Sequence, residues 1–96
     1  MKATNEQTLK EAITELLEAY KLKDGINETR LINSWDNVVG ELISRHTEKL
    51  FIRKKTLYIK LDSAALKNEL MYARNKLIKS LNKAIDVEVI EDIVFI

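Results

Sequence analysis

A single histidine, His46, lies within the stretch SWDNVVGELISRHT (Ser34 to Thr47), which also holds the only tryptophan, Trp35, and one of the two glycines, Gly40. To act as a metal ligand, acid or base, His46 would need companions. The chain has no cysteine and no second histidine, and with only Gly25 and Gly40 available it has no Gly-rich phosphate loop. Glu91 and Asp92 could make an acid/base pair, but adjacent charges usually face solvent. No enzyme, cofactor or metal site is therefore expected. His46 follows a helical segment and opens a strand, a position that suits a capping or turn role at least as well as binding. Trp35 shares an apolar stripe with Leu31, Val38, Val39 and Leu42, where a large ring packs into a core. Gly40 costs a helix up to about 1 kcal/mol relative to alanine, so it is expected where the backbone approaches a neighbour closely or must leave a ring in place. The stretch reads as a packing hinge, with Trp35 and Gly40 structural.

Binding chemistry is carried by charge placement. Net charge is +1, which gives no bulk attraction to nucleic acid or membrane. Residues 1–44 carry −3, residues 45–83 carry +8 and residues 84–96 carry −4. The basic segment contains two short β-prone runs, LFIR and TLYIKL, separated by Lys54 and Lys55 in the manner of an antiparallel hairpin without a turn glycine. If Leu50, Ile52, Leu57, Ile59 and Leu61 face the core, alternation turns Lys49, Phe51, Arg53, Tyr58 and Lys60 outward. A face that mixes aromatic rings with cations can stack bases and hold phosphates. Tyr72, Lys76, Lys79 and Lys83 form a second outward stripe on the helix that follows. The alternative is a solvated helix face and a lysine-blunted strand edge.

These residues need elements to position them. Leu9, Ile13, Leu16, Leu17 and Tyr20 fall at helical spacing behind a Thr8/Glu11 capping box, so a first helix is expected to end near Leu22. Lys23, Asp24 and Gly25 supply turn chemistry, Asn27 offers an N-cap, and a second helix runs to about Ser44. After the hairpin, Asp62 and Ser63 cap a third helix through Leu66, Leu70, Ala73, Leu77 and Leu81, which should be the longest. VEVIEDIVFI reads as a last strand. The expected class is α+β, in the order α-α-β-β-α-β, with a three-stranded sheet packed on helices. Ninety-six residues suit one domain spanning 1–96. The opening residues lack a signal-peptide apolar region and no run is long enough to span a membrane, so a cytoplasmic protein is expected.

The succession Trp35-Asp-Asn-Val-Val-Gly40, then His46-Thr47, then TLYIKLDSAALKNEL and Leu81-Asn82 resembles the DciA-like family of bacterial proteins over nearly the whole chain. The resemblance implies a KH-like fold. It further implies a non-ATPase role in DNA replication, with DNA and a DnaB-type replicative helicase as partners. Two departures stand out. Longer members continue into a basic flexible tail, whereas this chain stops at Ile96, and Leu66 stands where many members have a second tryptophan. There is also no KH-type GxxG loop to clamp a nucleic-acid backbone. The sequence-based expectation is thus a non-enzymatic adaptor that binds DNA weakly and without sequence preference. A protein-interaction module, such as a homodimer through the strand edge of VEVIEDIVFI, is the alternative.

Overall fold

The computed structural model describes residues 6–96. Helix α1 spans Glu6–Val39, 34 residues without a break. The turn expected at Lys23, Asp24 and Gly25 is absent, Thr8 lies inside the helix instead of capping it, and Asn27 is a buried helical residue that accepts a bond from the Arg30 guanidinium. Gly25 and Asp24 each cost an exposed helix about 1 kcal/mol or less, which good helix formers on either side outweigh. Helical phase is also kept across them: Tyr20, Asp24, Asn27, Leu31 and Trp35 follow at steps of four, three, four and four, with the polar Asp24 and Asn27 set between apolar residues on the same side. It is α1, and not the third helix, that is longest.

The helix stops at Gly40, which adopts φ +87 and leads into the short helix α2, Glu41–Arg45. A Cβ built at Gly40 would meet nothing within 4 Å, so the glycine is there for its backbone angle and not, as expected, for a close approach. Strands β1 (Thr47–Arg53) and β2 (Thr56–Leu61) form the expected antiparallel hairpin, with Leu50 opposite Ile59 and Phe51 opposite Tyr58. Its turn places both Lys54 (φ 48) and Lys55 (φ 60) in the left-handed region, the backbone of a two-residue hairpin turn made without glycine.

Ser63 caps helix α3 (Ala64–Tyr72), its hydroxyl accepting from the Leu66 amide at 3.3 Å. The expected third helix is broken at Ala73 and resumes as α4, Arg74–Ile85. Of VEVIEDIVFI only Asp92–Phe95 forms a strand, β3, which pairs parallel to β2. The reason lies in Asn82. Its side-chain oxygen accepts from the amides of Val89 (2.9 Å) and Ile90 (3.1 Å), and its Nδ2 donates to the Ile90 carbonyl at 2.9 Å. Those backbone groups are satisfied by a side chain and are not available to a ladder. The α-α-β-β-α-β order holds, with the first helix–helix boundary at Gly40.

The sheet order is β1-β2-β3. Helices α1 and α4 cover one face and run antiparallel to each other, since Arg30 donates to the Ile85 carbonyl at one end while Val38 and Val39 lie beside Leu77 at the other. Between the layers, Leu31, Trp35, Leu57, Ile59, Leu77, Leu81, Ile85, Ile90 and Ile93 form one buried cluster with Leu70. Among the described residues the opposite sheet face carries no helix, and the arrangement is consistent with a KH-like expectation. Among the described residues no helix is long and apolar enough to cross a membrane.

Candidate nucleic-acid interface

Alternation along the hairpin builds this site. Leu57 and Ile59 are fully buried and Leu50, Ile52 and Leu61 pack against the core, so the intervening side chains project from the uncovered face. Because the strands are paired in register, Lys49 stands opposite Lys60, Phe51 opposite Tyr58 and Arg53 opposite Thr56. The Phe51 and Tyr58 rings stack across the strands with centroids 5.0 Å apart and planes 10° from parallel. The Arg53 guanidinium sits over the Phe51 ring, 5.4 Å from its centroid. Such a pair adds about 0.5–1.5 kcal/mol beyond its buried area and fixes both rings at a flat, half-exposed patch.

The cations around the rings differ in freedom. Lys60 pairs with Glu48 at 3.6 Å and Lys55 with Glu91 at 3.7 Å, both pairs solvent-exposed and therefore weak. Among the described residues, Lys49, Arg53 and Lys54 have no ion-pair partner. Glu91 also donates its amide to the Lys55 carbonyl at 2.7 Å, so the chain entering β3 holds the lysine turn in place.

The structure brings together Lys49, Phe51, Arg53, Lys54, Lys55, Tyr58 and Lys60. The second group does not join them. Lys76, Lys79 and Lys83 lie on the face of α4 opposite Leu77, Leu81 and Ile85, so they point away from the sheet, on the far side of the helical layer. Tyr72, 93% exposed, ends α3 before the break at Ala73 and is not part of a continuous stripe with them.

Trp35 is 2% exposed, and its ring N–H donates to Thr47 Oγ1 at 3.0 Å. That hydroxyl in turn donates to the Ile43 carbonyl at 2.7 Å, so the indole, the α2 backbone and the start of β1 are joined in one relay. His46 carries a partner that spacing alone did not reveal: its Nδ1 lies 2.6 Å from Asp62 Oδ1, at the end of the hairpin remote from the lysine turn. The Asp62 amide donates to the His46 carbonyl at 3.0 Å, which extends the ladder by one bond. The pair clasps the open end of the hairpin, and Asp62 is the imidazole's only hydrogen-bond partner among the described residues. Asn82 entered the sequence reading only through the Leu81-Asn82 pair; its structural role, three bonds that shape the entry to β3, is seen in the fold alone.

A family profile described as "Dna[CI] antecedent, DciA" matches residues 8–95. No curated protein matches the chain.

Proposed function

The chain belongs to the DciA family, a family associated with loading of the DnaB-type replicative helicase in DNA replication, and from that premise we propose that it is a non-enzymatic adaptor that binds DNA through the uncovered face of its sheet. The observation that carries this reading is the stacked Phe51–Tyr58 pair with Arg53 over it, set among Lys49, Lys54 and Lys60. Flat rings beside cations suit a nucleic-acid strand: phosphates neutralise on the cations while a base lies on an aromatic surface. No side chain in the cluster belongs to a recognisable base-reading arrangement, so binding is weak and indifferent to sequence. The lysines of α4, on the other side, contribute through long-range charge or contact the helicase. The protein works in the cytoplasm, where the helicase does, with no membrane role and no cofactor.

The test is fluorescence anisotropy with labelled single- and double-stranded oligonucleotides at two salt concentrations. Wild type should bind at low salt, and Lys54→Glu/Lys55→Glu should weaken every oligonucleotide about equally and by more than Lys76→Glu/Lys79→Glu does. No binding at low salt, or equal effects of the two double reversals, would remove the sheet face as the site. The helicase half of the reading is checked separately, by capture of the chain on an immobilised DnaB-type helicase.

A further inference from the structure

Among the described residues, α1 is exposed along its first half. Every residue from 8 to 26 is exposed, and the molecule measures 66 × 23 × 20 Å because this segment projects from the body as an arm. An isolated surface helix should be polar all round, yet Leu9, Ile13, Leu16, Leu17 and Tyr20 lie along one side and are each about half exposed, from 49% to 58%. Leu9, Ile13, Leu16 and Tyr20 are separated by four, three and four residues, the alternation that keeps an apolar seam facing a second helix. The seam is in helical phase with the Leu31–Trp35 side that enters the core, across the polar Asp24 and Asn27, so the arm is the same helical face left exposed.

We propose that the arm is a dimerisation element, and that its occupant is the arm of a second copy of this chain, running antiparallel. Charge distribution selects both the partner and the direction. Glu11, Glu15 and Glu18 outweigh Lys10 and leave residues 8–18 with a net −2, while Lys21 and Lys23 outweigh Asp24 and leave residues 19–26 with a net +1. Antiparallel pairing sets the acidic part of each arm beside the basic part of the other, whereas parallel pairing sets like against like. A two-fold axis near Leu17 and Glu18 makes the seam self-complementary: Leu16 of one copy meets Tyr20 of the other, Leu17 meets its own equivalent, and Lys10 faces Asp24, twice by symmetry. Among the described residues neither Lys10 nor Asp24 has an ion-pair partner within one copy. The antiparallel direction also places the two globular bodies at opposite ends, where they do not collide. Two arms roughly 28 Å long bury less than the ~1,000 Å² of a tight interface, so the dimer is a weak one, in the micromolar range or above.

Sedimentation equilibrium of the full chain, carried up to millimolar concentration, reads the association. Wild type should move from monomer to dimer, and Leu16→Glu/Leu17→Glu should raise the dissociation constant at least tenfold. Both positions are exposed, so the unchanged near-ultraviolet signal of Trp35 checks that the body remains folded. Direction is read separately. The chain has no cysteine of its own, so Glu18→Cys and Lys10→Cys can each carry one spin label. In the antiparallel dimer the two labels are level along the helix axis at position 18 and offset by roughly 22 Å along it at position 10, so the label-to-label distance is the longer at position 10. Monomer at every concentration, association untouched by the double variant, or equal distances at the two positions would each overturn the proposal.

Discussion

Trp35 shows how one side chain can serve both layers. Its ring fills the space between α1 and the sheet while its N–H reaches Thr47 at the first residue of β1, so the residue fixes both a volume and a direction. Trp35→Ala should destabilise the fold by about 3–5 kcal/mol, measured from denaturant midpoints. Trp35→Phe retains most of the packing and leaves Thr47 Oγ1 without a donor, at a cost nearer ~1–2 kcal/mol. A Trp35→Ala protein with an unaltered midpoint would show that the ring is not part of the core. Asn82 makes the same kind of argument for a polar residue. Asn82→Ala orphans two amides and a carbonyl near the core, and a loss of about 2–4 kcal/mol is expected, larger than for substitution of any exposed asparagine on α1.

At the scale of elements, the two glycines have opposite roles, and the difference explains what the sequence could and could not disclose. Gly25 is helical and surrounded by open space, so Gly25→Ala should stabilise the protein by roughly 0.5–1 kcal/mol; Gly40, at positive φ, should resist the same change, with Gly40→Ala costing about 1–2 kcal/mol. Thermal midpoints moving in the same direction would contradict the placement of the helix break. The hairpin, the alternation that turns Phe51 and Tyr58 outward, the Ser63 cap and the leucine ladder of α4 were all legible, because each follows from local periodicity or capping chemistry. The misplaced break was not a failure of that chemistry. Lys23, Asp24 and Gly25 are good turn residues, but turn propensity is outweighed where the apolar residues on either side share one helical phase, and the phase shared by Tyr20, Leu31 and Trp35 was the signal to weigh. The shortened last strand was illegible for another reason: Asn82 acts across seven and eight residues, and no local pattern announces such bonds. The candidate site was readable as a list of outward residues, though its division into a sheet face and a separate α4 face depends on packing. One element carries a cost of its own. Lys54 and Lys55 hold left-handed backbone angles that asparagine and glycine adopt with less strain, so Lys54→Asn/Lys55→Gly should stabilise the hairpin by roughly 1 kcal/mol while weakening DNA binding. A variant that gains stability and binds DNA as tightly as wild type would argue that the turn lysines do not contact nucleic acid.

Taken as a whole, the molecule is nearly neutral yet separates its charge, with the +8 of residues 45–83 set between flanking acidic segments. Binding through such a surface follows counterion release, so the logarithm of affinity should fall with the logarithm of salt concentration by about 0.9 per duplex phosphate contacted, and each lost contact should flatten the slope by that amount. A titration in which Lys54→Glu/Lys55→Glu shifts affinity but leaves the slope unchanged would mean that those lysines do not touch phosphate. The sheet has one more consequence, and it concerns time. Strands β1 and β2 meet through a two-residue turn, whereas β3 reaches β2 only after the chain has passed through α3, α4 and the loop held by Asn82. The hairpin can zip in microseconds, but the parallel seam has to wait for α4 to dock, because its closure entropy is repaid only once the intervening helices are packed. Contacts made by Ile93 are then absent from the rate-limiting barrier, so Ile93→Ala should accelerate unfolding and leave the refolding rate almost unchanged, making β3 the latch that sets how long the native state persists.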